Sequence, residues 1–273
     1  VRFTKMHGIG NDFVIVDTLR DGLPPGDLSR LSQEVNDRRI GIGGDGLILL
    51  EKGEAEPFRM RMFNPDGSES EMCGNGIRCF AKLLRDHRHT DSSQIPVETG
   101  AGTLVVELLA DGQVRVDMGR ARLTRGEIPM TGPAEETFQD QPVNDYRGTA
   151  VSMGNPHLVI FVEDAALVDL AKEGSRLERS PLFPHRTNVH FVQVLGRDSL
   201  LQRTWERGAG VTLACGTGAC ASAVSAYLTG RASRRSEVRL PGGNLQIEYL
   251  EDGRVTMTGL AETVFEGDWP EKS

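Results

Sequence analysis

The chain has 273 residues, 38% of them apolar and 26% charged, with a formal net charge of −8. That length suits about two domains and a substantial buried core. The acidic balance argues against a nucleic-acid partner, whose phosphates need a basic surface, and no apolar run reaches the roughly 18 residues that span a bilayer.

In chain order, Phe13–Asp17 and Leu47–Leu50 are short runs rich in Val, Ile and Leu and are predicted as strands. Phe58–Met62 alternates as Phe-Arg-Met-Arg-Met, the pattern of a half-buried strand. Cys73-Gly74-Asn75-Gly76 then opens a segment where Ile77, Phe80, Ala81 and Leu84 recur at i, i+3, i+4 and i+7, an amphipathic helix. Leu104–Leu109 and Val114–Met118 are two more strands. Ala110-Asp111-Gly112 between them is predicted as a tight hairpin turn with both Asp and Gly at positive φ. Arg120–Tyr146, with Gly132-Pro133 and Gln141-Pro142, breaks the pattern and is assigned to a crossover between domains. Cys215-Gly216-Thr217-Gly218 opens a second helical run, ACASAVSAYL (219–228), small or apolar nearly all round and so buried on most faces. Glu251-Asp252-Gly253 is a second hairpin turn, and Gly267–Ser273 is predicted as a frayed tail.

The sequence is written twice. MHGIGNDFVIVD (6–17) is similar to SMGNPHLVIFVED (152–164). Phe63-Asn64 precedes Cys73 as Trp205-Glu206 precedes Cys215. TGAGTLVVELLADGQVRVDMG (99–119) is similar to PGGNLQIEYLEDGRVTMTG (241–259). A nearly constant offset this long indicates duplication of a whole domain rather than a solenoid, whose units are about 20–50 residues. The expected architecture is α+β: two pseudo-symmetric domains, each with strands wrapped around a central helix, and the active site in the cleft between them. The halves are assigned to residues 1–120 and 149–266, with a crossover at 121–148.

The four cysteines do not make a disulfide scaffold, they lack C-x-x-C spacing, and the histidines are scattered, so no metal site is expected. Cys79 and Cys220 lie inside the helices and read as buried filler. Cys73 and Cys215 sit at helix starts instead. A helix N-terminus presents unpaired N–H groups and the positive end of the dipole, which favour a thiolate and can hold a carboxylate. The same motif, occurring twice, supplies an acid and a base for a symmetric problem such as racemisation. No lysine carries the pattern of a pyridoxal phosphate site, and the glycine loops lack the endings of phosphate-binding loops. His157, on pattern alone, reads more readily as a structural histidine than as a functional one. Asn11, Asn64, Asn155 and Asn188 suit turns, and they also suit the charged ends of an amino acid. The segment VRFTKMHGIGND (1–12) lacks the apolar stretch of a signal peptide, so a cytoplasmic location is expected.

Taken together, FNPDGSESEMCGNGIRCFAK (63–82), SMGNPHLV (152–159), RTNVHFVQV (186–194) and WERGAGVTLACGTGACAS (205–222) closely resemble the diaminopimelate epimerases, over essentially the whole chain. The resemblance implies conversion of LL-2,6-diaminopimelate to the meso form in lysine biosynthesis, without cofactor or metal, by a homodimer acting on a small amino-acid substrate. It implies that Cys73 and Cys215 are the catalytic pair and that His157 and Glu206 tune their acidity. It also implies that Gly74, Asn75, Gly216 and Thr217 hold the reacting carboxylate. Asn11, Asn64, Asn155, Asn188, Glu206 and Arg207 match substrate-contacting positions, and Arg207 suits a distal carboxylate by its bidentate geometry. Some members carry a glutamine where this chain has Gly46. The alternatives are a proline or hydroxyproline-type racemase, and a non-catalytic amino-acid-binding or redox-sensing protein. A relative of the phenazine-pathway isomerases would share the fold but is expected to lack the cysteine pair.

Overall fold

The apolar runs form strands, and in the computed structural model, which describes residues 1–270, the chain divides into two units. One comprises Val1–Val116 with 259–270, the other Asp117–Thr258.

In the first unit β1 (Arg2–Gly8) and β2 (Asn11–Asp17) pair antiparallel. The short α1 (Thr18–Asp21) and α2 (Leu28–Asn36) lead to β3 (Gly46–Lys52), parallel to β2. β4 (Phe58–Phe63) runs antiparallel to β3, with β5 (Glu69–Ser70) beside it. After α3 (Gly74–Asp86), β6 (Gln94–Thr99) lies parallel to β4, followed by the hairpin partners β7 (Gly102–Leu108) and β8 (Val114–Arg120). Successive strand residues point to opposite faces. Val14, Val16, Leu47 and Leu49 therefore pack with Val35 of α2, whereas Ile48 points at α3, beside Gly76. Strands covered on both faces read as continuous apolar runs, as these do. α3 is buried from Gly74 to Leu84 except at Lys82.

The second unit repeats the plan. β9 (Gln141–Val143) pairs with β10 (Tyr146–Ser152), and β10 with β11 (Pro156–Phe161). α4 (Leu170–Glu178) leads to β12 (Asn188–Gly196), parallel to β11, and then to antiparallel β13 (Ser199–Glu206) and β14 (Gly210–Thr212). After α5 (Gly216–Leu228), β15 (Arg235–Leu240) lies parallel to β13. β16 (Gly243–Tyr249) and β17 (Arg254–Gly259) follow antiparallel. The duplication read from the sequence thus extends to strand direction: the parallel pair β2–β3 has its counterpart in β11–β12, and β4–β6 in β13–β15. The chain ends its described part with β18 (Glu262–Asp268), antiparallel to β1.

Three local expectations change. The hairpin turns keep only glycine at positive φ, Gly112 at 84° and Gly253 at 86°. Asp111 and Asp252 instead accept the backbone N–H two residues on, from Gln113 and Arg254 at 3.0 Å each. Arg120–Tyr146 is not a bare connection: Ile128, Met130 and Phe138 enter the second unit's core, and Arg125 stacks over the Phe138 ring at 5.0 Å. The tail is held through Trp269. Gly267 and Asp268 pair with Phe3 and Arg2, and the Trp269 N–H donates to Val1 O at 2.8 Å. A side chain at Gly267 would meet the Phe3 ring at 2.9 Å. The rest of the predicted tail, 271–273, lies outside the described residues.

Candidate active site

Each unit carries one cysteine as the N-cap of its central helix. Cys73 precedes α3 and Cys215 precedes α5, both in extended backbone conformation and neither capping its helix through the side chain. The helical ladders start at the N–H groups of Ile77 and Ala219, which donate to the Cys73 and Cys215 carbonyls at 2.9 Å each. The N–H groups of Gly74, Asn75, Gly76 and of Gly216, Thr217, Gly218 therefore lie ahead of the ladder, at the positive end of the dipole. Gly76 is required by packing, since a Cβ there would fall 2.8 Å from Ile48 Cδ1.

Around Cys73, the Asn11 side-chain carbonyl accepts from the thiol at 3.7 Å and from Asn75 Nδ2 at 3.0 Å. Asn11 is itself oriented by donating to Asp45 at 2.6 Å. Arg78, buried within α3, donates to Asn75 Oδ1 at 2.9 Å and to Gly74 O at 3.1 Å. It fixes both residues that follow Cys73, a role the sequence alone did not suggest. Asn64 donates to Ser68 Oγ at 3.0 Å within the loop after β4. Gly46 opens β3, where a Cβ would meet Met62 Cε at 2.8 Å and Phe63 O at 3.1 Å, so a glutamine there would have to push Met62 aside. Cys79 is different in kind: burial drives its thiol up to about 12, which keeps it protonated.

Around Cys215, the sulfur lies 3.8 Å from Thr217 Oγ1. His157 and His190 bring ring nitrogens within 4.8 Å of the sulfur and of one another. Those nitrogens are already engaged in a relay. Thr204 Oγ1 donates to His190 Nδ1 at 3.0 Å, His190 Nε2 to His157 Nδ1 at 2.9 Å, and His157 Nε2 to Asn155 Oδ1 at 2.9 Å. The Gln202 amide nitrogen faces His190 Nδ1 at 3.3 Å, consistent with that atom accepting. Both rings are fully buried. Burial pushes His190 down to about 3 and holds His157 well below its ordinary value, with the charges of His190 and Arg207 adding to the effect. Both are neutral at pH 7.

The remaining predicted residues cluster where β13 ends and the loop after it begins. Glu206 accepts from Thr212 Oγ1 at 2.5 Å. The Asn188 side chain accepts from the Arg207 N–H at 2.9 Å and donates to Pro156 O at 2.9 Å. The Arg207 guanidinium reaches His185 O at 3.2 Å. Glu178, at the end of α4 and only 3% exposed, braces this loop by accepting from Trp205 Nε1 at 2.8 Å and the Gly208 N–H at 3.2 Å. Glu178 and His190 both escaped the sequence reading. A charged residue in a surface-like helix and a histidine inside an apolar strand carry no local signal of burial.

Known proteins resemble this chain over nearly its whole length. The family model described as diaminopimelate epimerase matches in two segments, residues 3–124 and 149–264. The diaminopimelate epimerase of Moorella thermoacetica is 51% identical over 279 residues, covering 99% of each chain. That of Desulforudis audaxviator is 53% identical over 276 residues, covering 98% of this chain and 99% of the relative. Among solved structures, a PhzF-family phenazine biosynthesis protein from Bacillus anthracis superposes with a TM-score of 0.72 at 16% identity, covering 98% of both chains. A hydroxyproline epimerase from Agrobacterium vitis gives 0.64 at 16%, covering 97% of this chain and 91% of the other. These two likenesses concern the fold alone. With half the sequence shared by full-length relatives and the family model matched in both halves, the chain belongs to the diaminopimelate epimerase family.

Proposed function

We propose that the protein interconverts LL- and meso-2,6-diaminopimelate, as an isomerase of lysine biosynthesis, through one thiolate and one thiol. The observation that carries this reading is the repeated N-cap cysteine, each followed by helix N–H groups that its own ladder does not use. The thiolate of one cysteine takes the α-proton, breaking C–H and forming S–H. The thiol of the other delivers its proton to the opposite face, forming the new C–H bond. Charge moves onto the substrate carboxylate as the proton leaves. N–H groups of Gly74, Asn75, Gly216 and Thr217 would stabilise it without any cofactor, as preorganised donors do at oxyanions. A general base is worth typically 10²–10⁴-fold, so these donors must supply much of the remainder.

Asn11, Asn64, Asn155 and Asn188 are assigned to the charged ends of the substrate, and Arg207 to its distal carboxylate. His157, neutral beside Cys215, tunes that thiol through polarity rather than charge, and Glu206 serves as a carboxylate that tunes thiol acidity. Among the described residues no helix is long and apolar enough to cross a membrane, which suits a cytoplasmic location. The exposed Val264 and Phe265 of β18 offer an apolar face for a homodimer, which sedimentation would reveal.

Proton NMR in deuterium oxide tests the reaction. The reduced protein should exchange the α-proton of LL-diaminopimelate and produce the meso isomer. Exchange of proline in its place would move the substrate to the racemase class. No exchange with either would leave a binding or redox protein.

A further inference from the structure

We propose that Asp17, His87 and His89, in the first unit, form a binding site for one divalent transition-metal cation of the zinc class. Asp17 ends β2, His87 is the C-cap of α3, and His89 follows two residues later. Arg88 between them adopts φ 61°, and the His89 N–H returns to Leu84 O at 2.8 Å. This left-handed step turns both imidazoles toward the same carboxylate. His87 Nδ1 lies 2.6 Å and His89 Nε2 2.7 Å from Asp17 Oδ2, and the three atoms fall within 4.8 Å of one another. Two imidazoles and one carboxylate are a common donor set for zinc, with bonds near 2.0–2.1 Å. Tetrahedral ligands at that length stand about 3.3 Å apart, so the two contacts of 2.6 and 2.7 Å need only open by about 0.6–0.7 Å.

A second observation points to a metal rather than to a hydrogen-bonded cluster alone. Oδ2 can only accept, so His87 Nδ1 and His89 Nε2 carry the protons. The other ring nitrogen of His87 is Nε2. That atom is buried without a hydrogen-bond partner, in a side chain only 9% exposed, and it faces another acceptor, Glu266 Oε1, at 3.9 Å. Ligation through Nδ1 reverses the arrangement. The proton must sit on Nε2, and Glu266 becomes the carboxylate that metal-bound histidines usually address with their second nitrogen. The Asp17 carboxylate is held from its other side, where Oδ1 accepts the N–H groups of Leu19 and Arg20 at 3.2 Å each. The C-terminal end of α3 also favours a cation through its dipole. The cation would tie the end of β2 to the end of the helix that carries Cys73.

Zinc titration by calorimetry decides the matter, with cobalt absorption as a second readout. The thiols are competing ligands, so the background is the full chain with Cys73→Ser and Cys215→Ser. That protein should bind one equivalent of zinc. Its cobalt complex should lack the thiolate charge-transfer band. Adding His89→Ala should weaken binding at least tenfold. Should that variant fold poorly, imidazole nitrogen NMR of the double-serine protein gives the same decision, with His87 and His89 shifting on zinc addition and His157 and His190 unmoved. Absence of binding in the double-serine protein, equal affinity after His89→Ala, or shifts confined to His157 and His190 would each overturn the proposal.

Discussion

A Cβ on Gly218 would lie 2.2 Å from His190 Cε1, so the first turn of α5 rests directly on a buried imidazole. The ring is fixed by Thr204, Gln202 and His157 and cannot swing away. Gly218→Ala should therefore cost about 1–3 kcal/mol of stability by overpacking, read from urea unfolding. It should lower kcat as well, because Cys215 sits on the same turn. A change below about 0.5 kcal/mol, the scale of a neutral surface substitution, would mean the contact is slack.

Cys73→Ala and Cys215→Ala should each abolish epimerisation while leaving the fold intact. The two Ser variants should fall by about 10²–10⁴ in kcat, the range of one general-base contribution. Cys79→Ala should keep the activity, since a buried thiol driven up to about 12 is no base at pH 7. Comparable losses at all three positions would point to structural damage and sink the assignment.

Stability should fall between pH 7 and pH 5. His190 drops from 6.5 in the unfolded chain to about 3 when folded, and His157 shifts in the same direction. Between those values the unfolded state binds more protons, so stability is highest above the unfolded pKa and declines as pH drops. For His190 alone the loss at pH 5 is about 2 kcal/mol. His190→Gln should flatten this part of the profile in denaturant melts at pH 5 and pH 7; an unchanged slope would show that the ring is reached by water.

A second, more acidic step should come from Asp12. Burial pushes its carboxyl up, but Arg38 and Lys5 outweigh burial and leave it at about 2. A depressed carboxylate contributes stability that is full above the unfolded value of 3.8 and is lost as pH falls toward about 2. Lys5 lies 2.6 Å from Asp12 and is itself buried. Asp12→Asn would strand that ammonium and should cost roughly 3 kcal/mol, the low end for breaking a buried pair. A Lys5→Met, Asp12→Asn double variant should regain part of it, and its failure to do so would disprove the pairing.

Glu178 is a positioning residue for the loop that carries Glu206 and Arg207. Glu178→Gln retains an acceptor for Trp205 Nε1 and should be mild. Glu178→Ala leaves that indole N–H and the Gly208 N–H without their carboxylate, and should raise KM about tenfold, roughly the effect of 1.4 kcal/mol of lost orientation. Equal KM values for the two variants would separate Glu178 from substrate binding.

The sequence disclosed the duplication, both central helices and both N-cap cysteines, because these leave periodic or repeated marks. It did not disclose the turn geometry at Asp111 and Asp252, where a side-chain hydrogen bond replaces a second positive φ. It also missed the anchored strand at 262–268, whose polar and charged residues pair through backbone groups that carry no side-chain signature. Arg78, Glu178 and His190 were illegible for a shared reason. Each is a polar residue made tolerable inside the protein by specific hydrogen bonds, those of Glu178 and His190 to residues far away in the sequence and those of Arg78 to Asn75 and Gly74 of its own turn, and hydrophobic patterning registers none of them.

A helix buried along most of its length has little direction in which to yield. α3 is caged by β1, β2, β3 and β7 from Gly74 to Leu84, about 15 Å at 1.5 Å per residue. The thiol at its tip therefore inherits the stiffness of an entire hydrophobic interior. On the proposed chemistry, precision at Cys73 would then depend on residues as distant as Leu84, and an inhibitor would not need to reach the sulfur: loosening the far end of the cage would blunt it.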